Sequence, residues 1–204
     1  MKLNRRKFFA SIAALPVVAK AGGAAASAPP APGPQLTLKQ QELMAATEPE
    51  ILFTGGRGSG MTFGSQKWLE AGRHSLWIIE DWTERGVRIP HVTVVATLDE
   101  LLSRRFAGIR FDRIAFDVGG DRLRRGQYLT FRNWWPDARF LIATTSPSEG
   151  TKHWLYRYFF YQPNRRVIHA TMNNNPHLAD YRKMILSQSD PLRSRLLNGD
   201  WETQ

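Results

Sequence analysis

An α/β fold, with a mostly parallel sheet flanked by helices, is what the sequence predicts beyond Pro34, and three observations carry it. Short runs rich in β-branched and aromatic residues alternate with helix-compatible segments, which is the pattern of βα units. An apolar run passes straight into a glycine-rich loop at residues 54–62 and then into a helix-compatible stretch. Finally, 204 residues, of which 42% are apolar and 11% aromatic, suffice for one packed core and are too few for two large domains.

Residues 1–34 come first and are a separate object. They hold Lys2, Arg5, Arg6, Lys7 and Lys20 and no acid, then an apolar stretch at 8–18, small-residue sites at 19–21 and 26–28, and a Pro-rich linker. Positive n-region, apolar h-region and small-residue sites make this a signal-like leader, and the NRRKFF stretch at 4–9 resembles the twin-arginine export address. A basic, disordered N-terminal arm is the alternative. The h-region is shorter than the roughly 20 apolar residues that a membrane-spanning helix needs, so no stable membrane span is expected.

The body, 35–204, reads as one domain. Strands are expected at 50–54, 76–80, 91–96, 113–118, 139–144 and 166–171, and helices at 38–46, 62–71, 98–106, 122–134, 151–161, 178–187 and 192–198. Thr97 followed by Glu100 has the spacing of a capping box, and Asp190-Pro191 places a cap residue before a proline suited to a first helical turn. No internal repeat is present.

Charge and composition exclude several classes of chemistry. There is no cysteine, hence no disulfide framework, thiol nucleophile or thiolate zinc site. None of the five histidines, at 74, 91, 153, 169 and 177, has a metal-helix spacing, and no Ser-His-Asp set stands out. The net charge of +10 suggests a polyanionic partner. Removing the five leader cations leaves 23 basic against 18 acidic residues, or +5, in the body. Arg122, Arg124 and Arg125 precede Phe131, Trp134 and Trp135, and Arg157 lies within an aromatic run at 156–161. Interleaving of this kind reads either as a grip on nucleic acid or as core aromatics beside a solvated basic face.

The most informative motif is TGGRGSGMT at 54–62. Glycines at Gly55, Gly56, Gly58 and Gly60, with Ser59 between them, let backbone N–H groups curl around a phosphate at a helix N-terminus, and the Thr62 hydroxyl is placed to reach Mg²⁺. Met61 stands where the phosphate-loop pattern requires lysine, and Arg57 offers a cation from another direction. A glycine-rich turn without a ligand is the alternative. Asp117 ends an apolar strand 117 minus 62, or 55, residues later and is the candidate Mg²⁺ carboxylate. The residue after it is Val118 rather than a catalytic glutamate, and no acid is placed to activate water unless Asp121 or Glu149 reaches in.

With these elements in place, the body resembles the ATPase part of tailed-phage terminase large subunits, the motors that package DNA. LTLKQQEL at 36–43 is similar to the family's entry segment, and Gln40 matches the glutamine that reads adenine. Arg57 matches the family's loop arginine, and LIATTSP at 141–147 with HWLYR at 153–157 matches its coupling region, which includes Thr145. The ending, NNPHL at 174–178 and LLNGDW at 196–201, is the most specific likeness.

The resemblance implies a P-loop NTPase-like fold and ATP with Mg²⁺ as ligands. Arg57 and Asp117 become the catalytic candidates, Thr62 and Asp117 the metal ligands, and Gln40, Gly55, Gly56, Gly58, Ser59, Gly60, Thr62 and Thr145 the nucleotide-binding set. Expected partners are double-stranded DNA, a phage portal or small terminase subunit, and further copies of the chain. Met61 and Val118 imply impaired hydrolysis, and nothing in the chain resembles the family's nuclease. The resemblance points to the host cytoplasm; the leader's alternative is periplasmic export. A non-catalytic DNA- or capsid-binding protein on the same fold is the competing function.

Overall fold

The computed structural model describes residues 35–79, 88–95, 97–102, 106, 108–175, 179–190 and 192–202, side chains at 179–181 excepted. The leader, with its export signature, lies outside the described residues. Every described element belongs to the unit Leu36–Gln204.

Six strands form one sheet. They are β1 (Glu50–Gly55), β2 (Ser75–Ile79), β3 (Val92–Val95), β4 (Arg113–Asp117), β5 (Arg139–Thr145) and β6 (Arg165–Ala170), in the spatial order β3-β2-β4-β5-β1-β6. Every pairing is parallel, so the expected mostly parallel sheet is wholly parallel among the described strands. Parallel strands need covering on both faces, which is why all six residues of β1 and all five of β2 are buried.

The period-two alternation of the strands sorts their side chains between two apolar layers. Ile51, Phe53, Trp77 and Leu141 face α1 (Leu38–Ala45) and α2 (Met61–Glu70), packing on Leu43, Trp68 and Leu69. Leu52, Ile78, Phe116 and Phe140 face α3 (Leu98–Leu102), α4 (Arg125–Trp134) and α5 (Trp154–Phe160), packing on Leu101, Tyr128, Phe131, Leu155 and Phe159. Two further helices, α6 (Ala179–Leu186) and α7 (Leu192–Asn198), pack on one another, and α7 reaches β1. No helix among the described residues is long and apolar enough to cross a membrane.

The topology has a switch point between β1 and β5. The chain leaves β1 for α2 on one face and leaves the adjacent β5 for α5 on the other. Right-handed crossovers running in opposite directions produce such a switch point, and open α/β sheets bind ligands there, outside the carboxyl ends of the strands.

Some element boundaries differ from expectation for local reasons. The expected helix at 151–161 is a 3-10 turn, Gly150–Lys152, followed by α5, with His153 between them in extended backbone as the N-cap of α5. Residues 122–124 precede α4 in a turn closed by the Arg122 N–H on Gly119 O at 2.8 Å. β3 begins at Val92 because His91 takes a left-handed φ of +63°. The Thr97 cap is present, with the Glu100 N–H donating to Thr97 Oγ1 at 3.0 Å. Of the other expected elements, Glu80, Ala96, residues 103–105 and Leu178 lie outside the described residues.

Candidate functional site: a glycine loop under a C-terminal strap

The loop from Gly55 to Gly60 follows β1 at this switch point, and protein groups fix its outline. The Gly56 N–H donates to Ala170 O at 2.9 Å, the Ser59 N–H to Gly56 O at 3.2 Å and the Gly64 N–H to Gly60 O at 2.9 Å. Two side-chain amides also hold loop carbonyls: Asn175 Nδ2 donates to Gly58 O at 2.8 Å, and Gln40 Nε2 to Gly60 O at 2.9 Å. Gly60 has φ +86°, and a Cβ there would come within 2.6 Å of Gln40 Nε2, so the position takes only glycine. With the carbonyls of Gly56, Gly58 and Gly60 all bound, the backbone N–H groups of Gly58, Gly60, Met61, Thr62 and Phe63 have no hydrogen-bond partner among the described residues. The last four belong to the opening turn of α2, where a helix leaves its donors unsatisfied. A row of such donors with the positive end of a helix dipole is an anion nest.

A strap from the end of the chain closes over this loop. The Arg57 N–H donates to Leu196 O, in α7, at 2.7 Å. A Cβ at Gly56 would overlap Leu197 O, and one at Gly199 (φ +71°) would overlap the Gly55 backbone. The strap is anchored beyond the loop. Trp201, 5% exposed, packs with Tyr156 and Phe160 at ring-centroid distances of 5.7 and 5.6 Å, and its carbonyl accepts the Thr151 N–H at 2.9 Å. Asp200 accepts from the Ser194 hydroxyl, turning the chain after α7. The LLNGDW stretch thus supplies two carbonyls over the loop, a glycine where backbones touch, and a tryptophan anchor.

The other expected site residues fall into two groups. Thr62 lies on the first turn of α2, half-buried, and Thr145 is level with Gly55 at the end of β5. Asp117, also half-buried, ends β4, one strand further across, level with Ala143. These are brought to the same rim of the sheet. Ser59 is fully buried within the loop, and its hydroxyl has no partner, as is true of the Ser146 hydroxyl after β5. Gln40 is 3% exposed and has both ends of its amide engaged, Nε2 on Gly60 O and Oε1 accepting the Thr37 N–H at 2.8 Å. Arg57 is exposed, and its guanidinium makes no ion pair among the described residues.

No family model, curated protein or solved structure matches this chain.

The departures from the phosphate-loop pattern have structural roles. The Met61 side chain packs against the apolar layer under α1 and α2, and Val118 is 4% exposed within the opposite layer. Asp121, the first acid after Val118, is engaged with the turn after β5: its Oδ1 accepts from Ser148 N at 2.9 Å and Ser148 Oγ at 2.8 Å. No cluster of three or more His, Asp or Glu side chains suited to a metal occurs among the described residues.

A second concavity lies elsewhere. A cleft of about 860 Å³ opens between α4 and α5, with Arg124, Arg125, Lys152 and Arg157 along it and Trp154 and Tyr158 in its wall. Tyr158 is fixed by its hydroxyl, which donates to Glu50 at 2.8 Å, and Trp154 by its indole N–H on Leu123 O at 2.8 Å. Of the aromatic run, Phe131, Trp135 and Phe159 are core, while Trp134 and Tyr161 are exposed.

Proposed function

We propose that this domain binds a nucleoside triphosphate with Mg²⁺ at the glycine loop, as the terminase-like motifs imply for ATP, and hydrolyses it poorly. The observation that carries this is the loop itself: carbonyls turned into the protein, consecutive N–H groups unpartnered, at the switch point of a parallel sheet. Such a nest accepts the oxygens of phosphate, as it does those of other small oxyanions. The residues fit the implied metal as far as one hydroxyl and one carboxylate, Thr62 and Asp117, on the same rim; Mg²⁺ ordinarily takes its other ligands from phosphates and water. Bound Mg²⁺ would neutralise charge on the β- and γ-phosphate oxygens.

The chain's own contributions are orientation and exclusion of water. Gln40 and Asn175 hold the loop open, and the strap covers it from above. Weak turnover follows from what stands at 61 and 118: neither Met nor Val supports developing charge, and each absent electrostatic group lowers kcat by on the order of 10²–10³. The test is equilibrium binding of ATP with and without Mg²⁺ to the parent chain and to Thr62→Ala. The parent is expected to bind, the variant to lose most of the Mg²⁺ enhancement, and absence of any nucleotide binding by the parent overturns the proposal.

A second function, nucleic-acid binding without catalysis, is supported by the cleft between α4 and α5. Its arginines Arg124, Arg125 and Arg157 make no ion pair among the described residues, and basic clefts with aromatic walls suit phosphate backbones.

A further inference from the structure

Nothing in the sequence singles out Arg195. It stands on α7 immediately before Leu196, whose carbonyl holds the Arg57 N–H of the glycine loop. One terminal nitrogen, Nη2, donates to Ser146 O at 3.2 Å, and Ser146 follows Thr145, the residue of β5 level with Gly55. The guanidinium therefore lies at the carboxyl ends of β1 and β5, on the underside of the strap.

Its bonding is incomplete. Arg195 Nε is enclosed and has no hydrogen-bond partner, and no carboxylate pairs with the group among the described residues. The residue as a whole is half-buried, and a donor enclosed without an acceptor carries a desolvation cost that a ligand acceptor would remove. The hydroxyl of Ser146, 2% exposed, also has no partner among the described residues, in a class of atom that is otherwise almost always satisfied. A guanidinium only donates, and the N–H row at the start of α2 likewise only donates. A ligand that completes all of them is rich in acceptors and negatively charged.

We propose that Arg195 is the cation that meets the anionic ligand of the glycine loop, supplied from α7 in place of the lysine that Met61 displaces. The proposal rests on phosphate binding at the loop and deepens it. A planar guanidinium grips phosphate through two parallel N–H donors, and its position on the strap couples ligand charge to closure of α7. Arg57, exposed on the outer side, is then a rim residue.

The experiment compares Mg·ATP, Mg·ADP and inorganic tripolyphosphate binding by calorimetry in the full chain, using Arg195→Gln, Arg195→Lys and, as a control on the same helix, Arg193→Gln, whose guanidinium pairs with Asp190. A hydrogen bond to a charged group corresponds to about a tenfold to hundredfold loss. R195Q is therefore expected to weaken ATP and tripolyphosphate by about that factor and ADP by much less, with R195K intermediate and R193Q near the parent. The ATP-to-ADP affinity ratio is the deciding quantity, since a purely structural defect lowers both affinities together. An unchanged ratio in R195Q and R195K, while the parent binds ATP, overturns the role of Arg195 and leaves phosphate binding at the loop intact. A parent that binds no triphosphate removes both. If R195Q does not fold, R195K carries the same ratio test.

Discussion

Met61 and Val118 occupy the two positions where a phosphate-loop enzyme of this pattern needs a lysine and a glutamate, and both side chains are built into apolar layers. Restoring the charged residues is therefore not symmetrical. Met61 is half-buried at the start of α2, where a lysine can keep its ammonium in water while its stem covers the same surface. Val118 is 4% exposed, and a carboxylate there has no partner in the layer around it. Val118→Glu is expected to cost about 3 kcal/mol or more, against about 1 kcal/mol or less for Met61→Lys, as read from urea midpoints. Equal midpoints would show that the chain around 118 opens readily to water. Glu50 is the opposite case, a carboxylate that burial has provided for: it accepts from Tyr128 and Tyr158 hydroxyls at 2.7 and 2.8 Å and lies 3.0 Å from Arg132 Nε and 3.3 Å from Arg165 Nε. In the sequence, Glu50 is merely the first residue of a strand.

At the level of elements, α5 shows how one side chain sets a boundary. His153 Nδ1 accepts the Leu155 N–H at 3.3 Å, which requires an unprotonated nitrogen. Burial holds its pKa below the ordinary 6.5. The unfolded chain therefore takes up a proton below that value more readily than the folded one, and the stability that His153 contributes is present above pH 6.5 and lost as the pH falls. Urea midpoints taken between pH 7 and pH 5 are expected to decline in the parent; His153→Asn, which keeps a capping acceptor without the titration, is expected to flatten that decline. Identical slopes would place the acid sensitivity elsewhere. The same element marks the limits of what a sequence displays. Alternating apolar runs locate all six strands, because burial on two faces demands them, but a helix-compatible run at 151–161 gives no sign that a histidine ends one helix and begins another. Strand order is likewise hidden, since it depends on which crossovers run in which direction. Within the site, the glycines declare themselves through spacing, whereas the bond from Asn175 to Gly58 O and that from Arg195 to Ser146 O arise only from the tertiary fold.

For the molecule as a whole, charge is unevenly placed. Of the +10, the leader holds five cations, and the body keeps +5, part of it along the cleft between α4 and α5. If that cleft grips a nucleic-acid backbone, the logarithm of affinity falls linearly with the logarithm of salt, by about 0.9 per phosphate neutralised on duplex DNA. Replacing Arg124, Arg125 and Arg157 together by Gln should flatten the slope by about 0.9 for each phosphate left without its cation, and a slope unchanged by the triple variant would exclude the cleft as the binding surface. The strap bears on a different property, the timing of assembly. Leu196 lies 196 minus 57, or 139, residues beyond the Arg57 whose N–H it holds. Pairings so distant along the chain form late, after the entropy of closing the intervening segment has been met. A nascent chain that has emerged only through β6 carries the whole glycine motif and none of its cover, so loop and strap come together only in the last moments of folding.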